Sequence, residues 1–439
     1  MRAAYAKIIK NERTEIMKLT IPYGNESVSF EVPDKNFCEL LEPHEPQFEN
    51  DATEVIEAAL DNPIGTPSLA EIVKGKKTVS IIVDDMSRPT PVHLILPPLM
   101  KRLHDAGIKS EDIKVIIALG SHRYMTEEEI IAKVGEQIYK NYRVINSEFK
   151  DEESLVLMGT AEDGSKIYVT GEAAQSDVRI GVGNIVPHPV MGWSGGGKIL
   201  FPGISGEKTV ALFHLMGGLH PNGNLFGWDE SPVRHCIEGW VDVIGLDFII
   251  NTALTGDFRI YKAVAGHYVK AHREGVKYAR EIWGAKTSKK ADIMIVSSYP
   301  ADQDFWQSGK GLYSAEGGLT DEGGTIILVS PNYEGVGPHP EFPEYMGDDG
   351  AHEKLVLAKD NDAIPGDRLA MSVGTAMCKM RLRREIIMVS DGVTKADCDT
   401  CKIGYYPLSE LQRAIDDTIA KYDNPTVSVI SHGGELYVY

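Results

Sequence analysis

The sequence has few cysteines, no long apolar run and no excess of basic residues, and each shortage excludes a class of protein. Five cysteines in 439 residues are too few for a disulfide framework. Cys398 and Cys401 form one C-x-x-C without a second pair, so we expect reduced, structural thiols. Nowhere do roughly 18 uncharged apolar residues run together as a membrane-spanning helix requires. Residues 1–20 lack the apolar core of a secretory signal, so we expect a cytoplasmic protein.

The charge balance also limits the partners. The chain has 64 acidic and 45 basic residues, for a formal net charge of −19. A surface for nucleic acid or an anionic membrane needs a basic footprint, so neither partner is expected. A small anionic substrate remains compatible if a few cations converge locally. The sequence indicates no particular oligomeric state.

Hydrophobic periodicity predicts an α/β protein with two α/β domains and mainly parallel sheets. Residues 18–32 alternate like a hairpin with a turn at Gly24-Asn25. From residue 77 onwards, apolar runs alternate with helical patterns, as in a parallel sheet covered by helices. The predicted strands are 79–83, 113–119, 178–182, 292–298, 324–330, 385–390 and 426–431, with helices at 93–106, from 126, at 266–284 and from about 303.

The helical segment 266–284 is followed by a polar stretch, which suggests a domain boundary. We therefore expect an N-terminal domain at 1–284 and a C-terminal domain at 285–439. The Gly- and Pro-rich stretch 331–350 is predicted to be a surface loop.

Two predicted strands are followed by side chains suited to catalysis. Asp84 to Pro91 (DDMSRPTP) brings two carboxylates, a hydroxyl and a guanidinium to the end of one strand. Gly120 to Arg123 (GSHR) follows the next strand, where His122 is placed like a general acid or base. Ligands of open α/β sheets bind at the carboxyl ends of the strands. Taken singly, each segment is also compatible with a solvated loop.

The densest cluster contains glycines, a lysine and histidines: Pro187-His188-Pro189, Gly192-Trp193-Ser194-Gly195-Gly196-Gly197-Lys198 and His214. The glycines suit a backbone that approaches a ligand closely and presents its N–H groups to an anion. The run is almost a Walker A loop, so a phosphate-binding transferase or triphosphatase is one alternative. However, Ile199 stands where the Mg²⁺-binding hydroxyl belongs, and Phe201-Pro202-Gly203 interrupts the helix that such a loop needs.

A fourth cluster follows the strand at 292–298 in the second domain. Gln307 and Lys310 are three residues apart, so on one helical face they could hold a carboxylate together. An exposed polar helix face is the alternative interpretation.

Together, the four clusters resemble the lactate racemase family, whose members use a nickel-pincer nucleotide. The resemblance covers about residues 80–215 and 296–311. Its motifs are D-D-x-[ST]-R-P-T-P, G-[ST]-H-R, P-H-x-x-x-G-x-S-G-G-G-K and a histidine sixteen residues after that lysine.

The resemblance implies an active site in the cleft between the two domains, with the cofactor-binding motifs in the N-terminal domain and substrate-binding residues in the C-terminal domain. It also implies a role for each matching residue. Lys198 would carry the cofactor, a nickel pyridinium-3,5-bisthiocarboxylic acid mononucleotide, through a covalent thioamide link, and His214 would ligate the nickel. His122 and His188 would take and return the hydroxyl proton of the substrate, one for each enantiomer, with Arg88 at the substrate. The remaining implied contacts are Asp85, Ser87, Ser194, Gly195 and Gly196 with the cofactor, and Gln307, Lys310 and Trp306 with the substrate.

The chemistry of a 2-hydroxy carboxylate fits this set of residues. Removal of its α-proton would give a very unstable dianion, whereas removal of a hydride gives a planar 2-oxo acid that can be reduced again on either face. No side chain accepts a hydride, so this route needs a cofactor. The expected function is therefore a racemase or epimerase that inverts C2 of a small anionic 2-hydroxy acid.

Three residues depart from the pattern of the lactate enzymes. Trp306 stands at a tyrosine position, and Met191 and Trp193 differ from the commonest residues at theirs. Malate, 2-hydroxyglutarate, an aromatic hydroxy acid or a sugar acid is therefore as admissible as lactate. A catalytically inactive cofactor-binding homologue is a further alternative, although the presence of all three candidate histidines and Arg88 disfavours it.

Overall fold

A computed structural model describes residues 7–11, 15–49, 51–120, 122–359 and 364–439, and two large sheets covered by helices organise them. The N-terminal segment begins with an antiparallel sheet in the order β1-β2-β3. The predicted hairpin is confirmed, and Gly24 at its turn has a φ of +61° that favours glycine. The strands of this segment are β1 Lys7–Asn11, β2 Ile16–Tyr23, β3 Glu26–Pro33 and β4 Phe37–Leu41.

The first large sheet has the order β14-β13-β10-β5-β6-β7 and is parallel except for β14. Its strands and their neighbours are β5 Val79–Asp84, β6 Ile113–Ala118, β7 Arg143–Asn146, β8 Leu155–Thr160, β9 Lys166–Thr170, β10 Val178–Asn184, β11 Pro187–His188, β12 Gly192–Trp193, β13 Phe248–Leu254, β14 Ile260–Gly266 and β15 Gly284–Ala285. The helices of this part are α1 Ala52–Asp61, α2 Leu69–Ile72, α3 Val92–Asp105, α4 Glu127–Val134, α5 Glu136–Asn141, α6 Gly171–Ala174, α7 Glu207–Leu219, α8 Pro232–Ile244 and α9 Lys270–Trp283.

The second large sheet has the order β19-β18-β17-β16-β20-β4 and is parallel throughout. Its further strands are β16 Ile293–Ser297, β17 Thr325–Val329, β18 Glu385–Val389, β19 Gly404–Tyr406 and β20 Val427–Ile430, with β21 Tyr437–Val438 paired to β15. The helices are α10 Phe305–Ser308, α11 Lys310–Gly318, α12 Phe342–Gly347, α13 Ala351–Ala358, α14 Arg368–Arg383, α15 Lys395–Thr400 and α16 Leu411–Ile419.

The central strands of both sheets are apolar because helices cover both faces. Every residue of β5 and of β16 is buried, as a continuous Val- and Ile-rich run predicts. The predicted capping box at the start of α4 is confirmed, since the Thr126 hydroxyl accepts the N–H of Glu129 and Glu129 accepts the N–H of Thr126. The expected α/β class with mainly parallel sheets is thus confirmed.

Some local expectations need correction. The stretch 331–350 is not simply a surface loop, because it contains α12, whose Phe342 and Met346 are fully buried against the core. The helix expected from residue 266 begins only at Lys270, since the residues up to 266 form β14. The domain boundary at 284 stays a prediction, but β4 pairs with β20 and so lies in the second sheet. No helix among the described residues is long and apolar enough to span a membrane.

The strand order of each sheet reverses once, and those two points position the site. In the first sheet the chain proceeds from β5 to β6 on one side and later adds β10 on the other. In the second sheet β17 and β20 lie on opposite sides of β16. Crevices form where the connections diverge, at the carboxyl ends of the strands.

Candidate active site

A cleft with about 1200 Å³ of empty space lies between the carboxyl ends of the two sheets. Loops after β5, β6 and β10 supply one wall, and α10 and α11 supply part of the other. The predicted residues that line it are Asp85, Arg88, His122, His188, Ser194, Gly195, Lys198, His214, Trp306, Gln307 and Lys310. Ser87 lines adjoining cavities, and Ser121 lies outside the described residues.

The first aspartate after β5 has a structural partner. Asp84 is buried, and its Oδ1 lies 2.8 Å from the Nζ of the equally buried Lys133. Thr90 donates a hydrogen bond to the other carboxylate oxygen, and Lys133 also donates to the carbonyl of Arg88 at 2.8 Å. Burial raises the pKa of Asp84, and Lys133 opposes that rise. Asp84 and Lys133 therefore hold the loop that carries the next aspartate and Arg88.

The second aspartate orients His122. Asp85 Oδ2 lies 2.6 Å from Nδ1 of His122, and the Ser87 hydroxyl donates to Asp85 Oδ1 at 2.6 Å. Burial acts to raise the pKa of Asp85, but His122, Arg88 and Ser87 outweigh it and hold that pKa well below its usual range. The ionised carboxylate assigns the proton to Nδ1 of His122, so Nε2 carries the lone pair.

Gln307 connects the two walls of the cleft. Its amide nitrogen is 3.3 Å from Nε2 of His122, and its amide oxygen accepts a hydrogen bond from Lys310 Nζ at 2.7 Å. The proximity of Gln307 and Lys310 that their spacing suggested is thus present, although Gly309 separates α10 from α11 between them. Burial and Arg88 lower the pKa of Lys310 well below its usual range.

The ring of His188 has the opposite kind of contact at Nδ1, which accepts hydrogen bonds instead of donating one. Its Nδ1 accepts hydrogen bonds from the backbone N–H groups of Val190 and Met191 at 3.1 and 3.2 Å. Burial, followed by Lys198 and Lys310, lowers its pKa well below the usual value, so the ring is neutral. These partners assign the proton to Nε2. The two histidines therefore present different groups: a lone pair on His122 and an N–H on His188.

The glycine run before Lys198 is shaped by packing within the protein. Gly192 and Gly195 have φ values of +78° and +77°, which favour glycine. A Cβ on Gly192 would lie 1.8 Å from the carbonyl oxygen of Trp228, and one on Gly196 would lie 2.9 Å from that of Tyr268. Packing within the protein thus requires glycine at Gly192 and Gly196, whatever the run does for a ligand. Gly195 lines the cleft, whereas Gly196 donates its N–H to Asn251 at 2.8 Å.

Lys198 sits in a 3₁₀ turn at Gly196–Ile199 and faces the cleft. Burial and Arg88 lower its pKa to about 7, so a large fraction of the amine is neutral and nucleophilic near neutral pH. The next helix begins only at Glu207. The Walker A alternative therefore lacks the helix that should start at the lysine.

His214 lies on α7 with one ring nitrogen fixed. Its Nδ1 donates to the Val210 carbonyl oxygen at 3.0 Å, which leaves the lone pair on Nε2. Burial lowers the pKa of His214 to about 4, so the ring is neutral. Metal-binding histidines commonly show this arrangement. Among the described residues no three His, Cys, Asp or Glu side chains are grouped to hold a metal by themselves, so a metal at His214 would need other donors.

Several predicted residues have a structural function. The Ser194 hydroxyl donates to the Asn184 carbonyl oxygen and accepts the N–H of Val186, both at 2.9 Å. Met191 and Trp193 are fully buried and are not among the residues that line the cleft, although the backbone N–H of Met191 donates to His188. Trp306 does line the cleft and packs against His339, with ring centroids 4.4 Å apart.

Three residues of the site were not selected from the sequence. Asn184 lines the cleft with a buried Nδ2 that has no hydrogen-bond partner, Asn251 supports the glycine turn, and Glu435 lies near Lys310 and Arg88. The position of Asn184 at the end of a predicted strand could have indicated it. Nothing local in the sequence singles out Asn251 or Glu435.

Comparisons with known proteins agree with this site. Residues 23–225 match the family described as the lactate racemase N-terminal domain, and residues 286–438 match the lactate racemase C-terminal domain. The chain is 30% identical to the lactate racemase of Thermoanaerobacterium thermosaccharolyticum over 85% of its own length and 88% of that relative. It is 32% identical to the lactate racemase of Lactiplantibacillus plantarum over 73% of its own length and 76% of that relative.

Solved structures extend the comparison to the fold. The lactate racemase apoprotein from T. thermosaccharolyticum superposes with a TM-score of 0.86 at 27% identity, covering 96% of this chain and all of that one. A protein from Thermotoga maritima superposes with a TM-score of 0.67 at 20% identity, covering 89% of this chain and 98% of that one. At this identity the similarity shows the fold alone.

Proposed function

The chain belongs to the lactate racemase family, and we propose that it inverts C2 of a 2-hydroxy carboxylate by reversible hydride transfer, with histidines handling the hydroxyl proton. The family makes the protein an isomerase of 2-hydroxy acids. The residue roles, the cofactor and the hydride route are the proposal.

The observation that carries the proposal is the position of the Gln307 amide. It offers an N–H to the lone pair of His122 and an oxygen to the ammonium of Lys310. A 2-hydroxy carboxylate has the same pair of groups, a hydroxyl that donates to a base and a carboxylate that accepts from a cation. A substrate that replaced these contacts would place its C2 hydroxyl at His122 and its carboxylate at Lys310, with Gln307 turning to support the carboxylate.

The substrate carboxylate would change the electrostatics of the cleft. Burial and the nearby Arg88 depress the pKa values of both Lys198 and Lys310, and Lys198 adds to the effect on Lys310. An arriving anion favours the charged form of Lys310 and forms a charge-assisted hydrogen bond with it. Binding is thereby selective for a carboxylate over a neutral hydroxy compound.

The two histidines would have unequal roles. His122, oriented by Asp85, holds the lone pair that takes the proton from the substrate hydroxyl as C2 becomes planar. His188 holds an N–H at Nε2 and would donate a hydrogen bond to the developing oxo group. Substitution of each histidine in turn distinguishes this proposal from the prediction that each histidine serves one enantiomer.

The residues present fit a covalently held nickel-pincer nucleotide. Lys198 supplies an amine whose lowered pKa suits acylation, His214 supplies a neutral Nε2 donor, and Asn184 has an unpartnered buried amide for a polar group. When bound, this cofactor would accept the C2 hydride and return it. Closure of the cleft around the substrate would keep water away and retain the 2-oxo acid.

The test is the intact mass, nickel content and racemase activity of the protein made in a host that synthesises the cofactor. We expect an adduct on Lys198, stoichiometric nickel and interconversion of a 2-hydroxy acid. Lys198→Ala should lose all three, whereas Lys277→Ala, an exposed lysine on α9, should keep them. An unmodified Lys198 in that host, or activity that survives Lys198→Ala, would overturn the proposal.

A further inference from the structure

A second cavity, with about 1870 Å³ of empty space, adjoins the catalytic cleft. The two share wall residues, among them Arg88, His188, Gln307 and Lys310, so a molecule held at Lys310 can extend from one into the other. The remaining wall is mixed, with polar residues such as Asn25, Asp257 and Gln303 beside apolar ones such as Met86, Val186 and Phe258. The second cavity therefore has room for the rest of a substrate whose head group lies in the cleft.

Glu435 lies in the wall of this second cavity. Its side chain is only 6% exposed, yet its Oε2 is buried without a hydrogen-bond partner. Burial raises the pKa of Glu435 to about 7, while Lys310 and Arg88 act to lower it. A buried carboxylate oxygen without a partner is unfavourable, so it points to a partner that arrives with a ligand.

The loop that carries Glu435 is firmly held at the carboxyl end of the second sheet, where its strand order reverses. It follows β20, and the N–H groups of Gly433 and Gly434 donate to the carbonyl oxygens of Ser297 and Tyr299 at 2.7 and 3.2 Å. A Cβ on Gly433 would lie 2.2 Å from a methyl carbon of Val296. This close packing against the end of β16 fixes the direction of the loop, so Glu435 does not depend on a flexible tail for its position.

The chemistry of the cavity distinguishes the candidate substrates. The methyl group of lactate would leave the Glu435 carboxylate desolvated and unpaired. The second carboxylate of malate or 2-hydroxyglutarate would meet a like charge there. An aromatic side chain would likewise leave the Glu435 carboxylate without a hydrogen-bond donor. Hydroxyl groups, in contrast, donate hydrogen bonds to a carboxylate and leave its neighbouring cations undisturbed.

We propose that Glu435 forms a subsite for the chain hydroxyl groups of the substrate, which is therefore a polyhydroxylated 2-hydroxy acid of the aldonic acid class. The proposal rests on the proposed function, since it takes the carboxylate at Lys310 and C2 at His122 as its starting point. From there the hydroxyl-bearing carbons enter the second cavity past Glu435. The reaction is then an epimerisation, because the other stereocentres stay unchanged.

The experiment compares two acids that share a six-carbon chain and the 2-hydroxy carboxylate head: gluconate and 2-hydroxyhexanoate. Binding is measured by calorimetry on the cofactor-free protein, and inversion at C2 is followed by NMR on the loaded enzyme. We expect gluconate to bind at least about tenfold more tightly than 2-hydroxyhexanoate, the effect of one buried polar group regaining its partner. Malate should bind more weakly than gluconate.

Variants separate the hydroxyl subsite from the head-group site. Glu435→Leu should make gluconate and 2-hydroxyhexanoate bind about equally, without weakening the binding of 2-hydroxyhexanoate. Glu435→Gln, of matched shape, should retain part of the preference for gluconate. Glu322→Leu, at an exposed position, is the control, and thermal unfolding checks that each variant folds. Lys310→Met should weaken both acids together because it removes the shared carboxylate contact.

The outcomes distinguish the two proposals. Equal binding of gluconate and 2-hydroxyhexanoate, or an unchanged preference in Glu435→Leu, would overturn the hydroxyl subsite and leave the racemase proposal intact. Absence of both binding and inversion for every 2-hydroxy acid tried would overturn the proposed function, and the subsite with it.

Discussion

The two sheet edges that face the cleft are built differently. At the first edge, the ionisable side chains after β5 and β6 have protein partners: Asp84 with Lys133, and Asp85 with His122 and Ser87. At the second edge, Lys310 has only the neutral amide oxygen of Gln307 as a hydrogen-bond partner within the described chain, and Glu435 Oε2 has none. The carboxylates of the first edge are thus paired without a ligand, whereas Glu435 at the second edge is not.

This difference separates chemistry from recognition. A base must keep one orientation and one tautomer through the reaction, which the carboxylate behind His122 ensures. Groups that recognise a substrate gain most when their partner is the substrate itself, because a poor ligand then leaves them unpaired. We therefore expect substitutions at the first edge to affect turnover or stability, and substitutions at the second to affect the choice of substrate.

The largest expected effect is at His122. In the cofactor-loaded enzyme, His122→Gln should lower kcat by roughly 10²–10⁴-fold in both directions, because glutamine cannot take the hydroxyl proton. His188→Gln should lower kcat by about tenfold or less, since glutamine retains both an acceptor for the backbone amides and an N–H donor. Rates from each enantiomer or epimer measure this, and the intact mass verifies the adduct. Equal losses in the two variants would contradict the unequal roles.

The next effect concerns the buried pair at the first edge. Lys133→Met leaves the buried Asp84 without its cation and should lower the free energy of unfolding by about 3–5 kcal/mol, as measured by urea denaturation. Lys140→Met is the matched control, because Lys140 forms an exposed pair with Glu136 at 2.6 Å and should change stability by less than about 1 kcal/mol. Adding Asp84→Asn to Lys133→Met should recover part of the loss. A loss as small as that of the control would show that the first edge is not held by this pair.

The sequence predicts the parts of the fold that depend on local pattern. Buried strands such as β5 and β16 are short Val- and Ile-rich runs, and α4 begins at a capping box, so both are visible in a few residues. The position of β4 in the second sheet is not visible locally, because its partner β20 lies nearly four hundred residues away along the chain. β13, with the apolar run Phe248–Leu254, did carry a local signal that the prediction passed over.

The candidate site likewise has residues that a local pattern predicts and residues that depend on distant parts of the chain. Loops that follow predicted strands gave His122, His188 and Arg88, and the fold brings them to one cleft. The packing that requires Gly192 and Gly196 could not be predicted, because Trp228 and Tyr268, which approach them, are distant in sequence. Glu435 could not be predicted, because what marks it is the absence of a partner in the folded protein.

The smallest expected effect is at Glu435, at the second edge, and it is a gain of stability rather than a loss. Burial raises the pKa of Glu435 to about 7 from an ordinary value of 4.5, with Lys310 and Arg88 opposing the rise. The folded protein thus holds this proton more tightly than the unfolded chain does. Between about pH 4.5 and pH 7 the contribution of Glu435 to stability therefore falls as the pH rises, and above about pH 7 its cost is complete.

Glu435→Gln removes that ionisation, so the variant should be more stable than the parent by roughly 1–3 kcal/mol at about pH 8 and nearly equal to it at about pH 5. Urea denaturation at both pH values measures the difference, and Glu322→Gln, at an exposed position, should show no such dependence. A loss of stability at about pH 8 would mean that Glu435 has a protein partner in solution, and the contrast between the two edges would fail. A gain, together with a weakened preference for hydroxyl-rich acids, would mean that the chain keeps an unfavourable carboxylate at this position for recognition.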